Sequence, residues 1–156
     1  MELFENDEQL FGQYVVFMID KQLCALSIKE IVEIIGIQPI TEVVNDREYI
    51  TGVINLRGSI IPVIQLRMRY KLPILPFNKK SRIIIIRSED EGIGLIVDEV
   101  LMVTHIEEEQ LEPPLEMFNT IEKDCFKGFA KVNDQLIGIL NLQKVLYPQG
   151  SEGGIM

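Results

Sequence analysis

Covalent chemistry needs a nucleophile, base or metal ligand with a positioned partner, and this chain offers few of them. His105 is the one histidine, and it closes an apolar segment with no second His or Cys near it. It therefore reads as a residue that packs or ends a strand, because base and ligand roles need partners. Cys24 falls within the apolar-alternating stretch Leu23 to Ile28 and reads as a small core residue, while Cys125 has no neighbouring His to lower its pKa. The two cysteines stand 101 positions apart with no C-x-x-C spacing. A disulfide framework and a zinc site are thus not expected, and the simplest compartment is a reducing cytoplasm. Glu107, Glu108, Glu109 and Glu112 lack the ligand spacing and central glycine of a calcium loop and read as a solvated acidic segment. Gly92-Ile-Gly94 lacks the third glycine and the following helix of a phosphate-binding turn. Neither a metal, nor a cofactor, nor a catalytic site is expected.

Two charged residues stand out for recognition instead. Arg57 falls at the tip of a predicted hairpin, between Leu56 and Gly58, where the turn itself does not need a long cation. It either bonds a carboxylate of the neighbouring half or serves protein recognition, for which a planar five-donor cation suits better than Lys. Glu33 interrupts the aliphatic run Ile31, Val32, Ile34, Ile35, either as the solvent-facing position of an alternating strand or as a site residue.

The elements that must position these residues repeat along the chain. Ala25 to Ile34 reads against Gly94 to Val103, each preceded by an apolar run and a polar turn. Gly52 to Leu66 reads against Gly128 to Leu142, each a glycine, an alternating segment, a tight turn (Arg57-Gly58; Asn133-Asp134), an aliphatic run and a closing Leu, which are hairpin signals. Each half thus predicts about five short strands and a short terminal helix, over Gln65 to Leu72 and Asn141 to Tyr147. Asn141 is a good N-cap and Gln65 a poorer one. β-branched strands without a long 3.6-residue period predict a mainly all-β fold of two small antiparallel barrels, since closure removes aggregation-prone edges. Pro62 fits an edge or a bulge. The expected boundaries are a first subdomain over 12–72, a connector over 73–80 and a second subdomain over 81–147, with tails at 1–11 and 148–156.

The 156 residues are 47% hydrophobic with a mean hydropathy of +0.17, enough for a packed core. A net charge of −9 argues against nucleic-acid or anionic-membrane partners. The charge is uneven. From Asn55 to Ser88 there are eight basic residues (Arg57, Arg67, Arg69, Lys71, Lys79, Lys80, Arg82, Arg87) and no acid, leaving seven basic against twenty-four acidic residues elsewhere, a net −17. Such a segment is a solvated basic face or a docking face for an acidic protein. The acidic N-terminus lacks the features of a secretory signal, and no apolar run approaches the ~20 residues of a membrane span.

At Gly52-Val-Ile-Asn-Leu-Arg-Gly-Ser-Ile-Ile-Pro-Val-Ile-Gln-Leu-Arg67 the sequence resembles the CheW family of chemotaxis coupling proteins, whose hallmark is G-V-x-N-L-R-G-x-I-x-P-V-x-D-L-R. Tyr14-Val-Val-Phe, Leu26 to Gly36 and Gly94 to Val100 match as well, so the likeness runs from about Gln13 to Leu146. Gln65 departs from the family's Asp. The resemblance implies two five-stranded SH3-like β-barrel subdomains around a shared hydrophobic core. It implies a non-catalytic adaptor, monomeric when isolated, that binds the cytoplasmic tip of chemoreceptors and the regulatory domain of the chemotaxis histidine kinase, and so sits at membrane-associated arrays only through its partners. Carried over by motif, Ile31, Glu33 and Arg57 belong to the receptor-binding region, with Val100 and Val103 lining the same groove. Ile37, Pro39 and Ile40 are the candidates for the kinase contact, where exposed apolar residues would suit an interface. The alternatives are a coupling protein of a pilus-motility or other chemosensory-like pathway and, more remotely, a ligand-binding or enzymatic barrel, which would need a deep pocket holding His105.

Overall fold

Four consecutive isoleucines, Ile83 to Ile86, leave a strand no polar face, so a strand made from them must be buried on both sides. The computed structural model, which describes residues 12–44, 50–112 and 125–147, shows how. The first repeat runs β1 (Gln13–Ile19), β2 (Gln22–Ser27), β3 (Ile31–Ile35), β4 (Ile50–Leu56), β5 (Ser59–Gln65) and α1 (Leu66–Arg69). The second runs β6 (Arg82–Ser88), β7 (Glu91–Val97), β8 (Glu99–His105), a two-residue β9 (Leu111–Glu112), β10 (Phe126–Val132), β11 (Gln135–Leu140) and α2 (Leu142–Leu146). The expectation for Glu107 to Lys123, a loop with at most one helical turn, meets a 3-10 turn over Glu108–Gln110 followed by β9, and its remainder lies outside the described residues.

The mainly-β fold in two units is as the sequence predicts, but the units exchange their first hairpins. One sheet has the order β8-β1-β2-β11-β10-β9 and the other β3-β6-β7-β5-β4. The β1–β2 hairpin of the first repeat thus belongs to the sheet of the second, and β6–β7 of the second to the sheet of the first, so neither sheet coincides with 12–72 or 81–147. The exchange also makes the sheets mixed rather than purely antiparallel, because β2 runs parallel to β11 and β5 parallel to β7. Between β2 and β3 stands one 3-10 turn, Ile28–Glu30, and between β7 and β8 the single residue Asp98, so each crossing passes from one sheet to the other within a few residues.

Three apolar clusters follow from period-two alternation. Ile84 and Ile86 join Phe17, Leu26, Leu95, Phe126, Phe129 and both helices in the core shared by the two sheets. Ile83 and Ile85 face the other way, into a core private to their own sheet with Ile54, Val63 and Ile96. The second sheet has its equivalent in Val16, Ala25, Ile106, Ala130, Ile137 and Ile139. A private core requires a curled sheet, and each sheet's two edges are joined by a short segment. After β3, Thr41 crosses to pair with Val53 of β4, and after β8 the chain reaches β9, which pairs with β10.

Several positions of the hallmark string have a physical reason in the fold. Gly52 and its repeat partner Gly128 sit where the closing segment meets the sheet, so that a Cβ would stand 2.4 Å from the Thr41 carbonyl oxygen or 2.6 Å from that of Glu112. Arg57 and Gly58 both have left-handed backbone, φ 52° and 90°, which suits a two-residue hairpin, and the Asn55 side chain accepts from the Gly58 N–H at 3.0 Å. Pro62 is in an interior strand, not at an edge. Its partner Val53 exchanges backbone hydrogen bonds with Thr41 on the far side, so the missing N–H of Pro62 points towards β7, whose pairing starts only at Val63. Gln65 does cap α1, accepting from the Arg67 N–H at 3.3 Å, as Asn141 caps α2 through Lys144.

Candidate protein-binding site

Arg57 reaches from the β4–β5 hairpin, at one edge of its sheet, to a salt bridge with Glu33 on β3, the opposite edge. Strands are spaced about 4.8 Å apart, so a flat sheet of five would hold these side chains far out of reach, and the pair therefore depends on the curl. The carboxylate belongs to the same sheet rather than to the neighbouring unit. The guanidinium is 67% exposed and its partner 32%, an exposure at which such a pair contributes about 0–1 kcal/mol to folding. The left-handed Arg57 backbone costs a comparable amount, so stability alone does not account for an arginine here. The pair stands in an open cleft of about 680 Å³ lined also by Val32, Ile60, Pro62 and Arg87.

The other expected receptor-binding residues lie around the two crossings. Ile31 and Val100, equivalent in the repeat, come just after them, and both pack partly buried against the shared core. Val103 is 55% exposed on β8, the free edge of the second sheet. Sequence reasoning missed Val32 and Ile34 on β3 and Leu101 and Met102 on β8, all exposed. Edge strands with apolar side chains turned to solvent are surfaces to be covered by a partner, and the signal was present as near-continuous apolar runs, Ile31 to Ile35 broken only by Glu33 and Val100 to Val103 unbroken. Of Ile37, Pro39 and Ile40 only Pro39 is exposed. Ile37 and Ile40 pack against the private core beneath the closing segment, so the premise of exposed apolar residues fails for those two.

The basic segment is corrected as well. Arg67 and Arg69 are buried and form no part of a solvated face. The Arg67 guanidinium donates from Nε to Asp98 Oδ1 at 2.9 Å and from Nη2 to Asp98 Oδ2 at 2.8 Å. It also donates to Asp20 Oδ1 at 3.3 Å and to the Pro73 carbonyl at 2.8 Å. The hydrogen bonds it donates to Asp98 chiefly hold its pKa above the usual arginine value. One side chain thus ties α1, the β7–β8 crossing, the β1–β2 turn and the connector. Arg69 donates to the last carbonyls of α2, Val145 at 2.9 Å and Lys144 at 2.8 Å, where a helix C-terminus favours a cation.

No catalytic arrangement emerges among the described residues. His105 is at the end of β8, exposed, bridged to Glu107 and absent from the linings of the two clefts at Arg57 and at Arg67. Cys24 and Cys125 are buried and form no disulfide, and burial pushes the pKa of the Cys24 thiol far up. Among the described residues no group of His, Cys, Asp and Glu could hold a metal, and no helix is long and apolar enough to cross a membrane.

The CheW-like domain family matches residues 13–149. Chemotaxis protein CheW of Thermotoga maritima is 37% identical over 134 residues, covering 83% of this chain and 84% of that protein. Chemotaxis protein CheW of Bacillus subtilis is 33% identical, with 90% of each chain covered. The crystal structure of the scaffolding protein TtCheW from Thermoanaerobacter tengcongensis superposes with a TM-score of 0.79 at 37% identity, covering 89% of this chain and 90% of that one.

Proposed function

The chain belongs to the CheW family, and from that premise we propose that this chemotaxis scaffold couples chemoreceptors to the chemotaxis histidine kinase. It binds the receptors' cytoplasmic tip through Ile31, Glu33, Arg57, Val100 and Val103 and the kinase regulatory domain near Ile37, Pro39 and Ile40. It works in the cytoplasm, at receptor arrays, and contributes effective concentration and geometry rather than chemistry. The observation that carries the receptor contact is the Glu33–Arg57 pair, solvent-exposed and built on a strained turn, beside apolar edge strands that lack a cover among the described residues.

The test is co-elution on a sizing column with a receptor cytoplasmic hairpin and, separately, with a kinase regulatory domain. Wild type is expected to bind both. Arg57→Glu should weaken the receptor complex by about tenfold or more, as loss of an interface hot spot does, while kinase binding and the circular dichroism spectrum stay unchanged. The exchange Glu33→Arg with Arg57→Glu restores the salt bridge and should not restore binding. If it does, the pair acts only by holding the fold, and if wild type binds neither partner, the adaptor reading fails.

A further inference from the structure

Between α1 and β6 the connector presents Ile74, Leu75 and Phe77 to solvent, 53%, 53% and 44% exposed. A segment that merely spans a gap has no need of three large apolar side chains, and three in four positions make a patch rather than the scattered exposure normal for a surface. The segment is also held at both ends. Arg67 grips the Pro73 carbonyl. At the far end a turn is closed by Asn78 N–H to Ser81 Oγ at 3.0 Å and Lys80 N–H to Asn78 Oδ1 at 2.7 Å, and Arg82 donates to the Lys79 and Ser81 carbonyls. Pro73 and Pro76 fix φ and remove two backbone donors, so the segment is ordered beforehand and unsuited to strand addition, leaving side chains to do the recognising.

Charge states what the occupant is. Lys71, Lys79 and Lys80 flank the apolar triplet and are exposed, and the chain from Asn55 to Ser88 holds no acid. Asp98, which lines the same cleft as Leu75 and Phe77, and Asp20 are both engaged by Arg67. We propose that the connector is a docking surface for an acidic polypeptide segment whose apolar side chains cover Ile74, Leu75 and Phe77 while its carboxylates meet the three lysines. The surface is separate from the Glu33–Arg57 cleft. Arg57 lies in the turn before β5, whose seven residues span about 20 Å, and the connector comes only after β5 and α1.

The probe is a synthetic peptide of glutamates interrupted by Leu and Phe, titrated into the isotope-labelled full chain and followed by amide chemical shifts. A peptide with every glutamate replaced by lysine is the control. Saturable shifts confined to 71–82, weakened about tenfold by Lys79→Glu with Lys80→Glu, and weakened comparably by Leu75→Ser with Phe77→Ser, are expected. All four side chains are exposed, so the variants should keep the wild-type spectrum elsewhere. Equal binding of the lysine peptide, shifts centred outside the connector, or affinity unchanged by both variants would overturn the proposal. Receptor and kinase co-elution should survive the lysine reversals, and loss of the receptor complex in that variant would overturn the separateness of the two surfaces.

Discussion

Tyr70 shows at the residue scale how much the shared core tolerates. It is 4% exposed, and its hydroxyl makes no hydrogen bond of normal geometry among the described residues, with the Cys125 thiol beside it as a weak partner. Burial raises its pKa well above the ordinary value, and the Cys125 and Cys24 thiols add to the rise. A buried hydroxyl with no better partner than a thiol loses more hydration than it regains, a penalty of up to about 1–3 kcal/mol. Tyr70→Phe keeps the ring, including its contact with the Arg69 guanidinium 5.7 Å from the ring centroid. The variant should be more stable by about 1 kcal/mol, read as a higher urea midpoint with an unchanged slope, and a lower midpoint would mean that the thiols satisfy the hydroxyl after all.

At the scale of elements, the segments that bridge each sheet's edges leave no room for side chains beneath them. In Gly52→Ala the new Cβ would press on a backbone oxygen, which cannot rotate away, so the closing segment must move. The expected cost is about 1–3 kcal/mol, a fall of several degrees in melting temperature. Gly36, on the same segment, has nothing within 4 Å of its would-be Cβ and no positive φ. Gly36→Ala should therefore melt with wild type, and a comparison of the two variants by calorimetry separates crowding from any general intolerance of the segment.

For the whole molecule, the exchanged hairpins mean that neither repeat can bury its own apolar surface. Without β6 and β7, the first repeat loses two of the three interior strands of its sheet and with them Ile83, Ile85 and Ile96 of the private core. Fragments 1–80 and 81–156 should each lack a cooperative thermal transition as monomers, whereas the two co-expressed should co-purify with the wild-type circular dichroism spectrum. Independent cooperative melting of either monomeric fragment would show that the hairpins can return to their own sheets.

The amino-acid sequence by itself determined the strands, the tight turns at Arg57-Gly58 and Asn133-Asp134, both helix caps and the internal repeat. These follow from local alternation, from which residues tolerate left-handed backbone, and from side chains that bond their own neighbours. It also singled out Glu33 and Arg57, because a charge in an aliphatic run and a cation on a hairpin tip are anomalies visible without coordinates. Only the tertiary structure decided which strands share a sheet. Period two is blind to whether an apolar face meets a private or a shared core, and to whether the strand after a short crossing returns to its own sheet or passes to the other. For the same reason Arg67 and Arg69 read as surface cations and proved buried. A charge enters a core only with its partners in place, and here most of them, Asp98 and Asp20 for Arg67 and the carbonyls closing α2 for Arg69, come from distant parts of the chain.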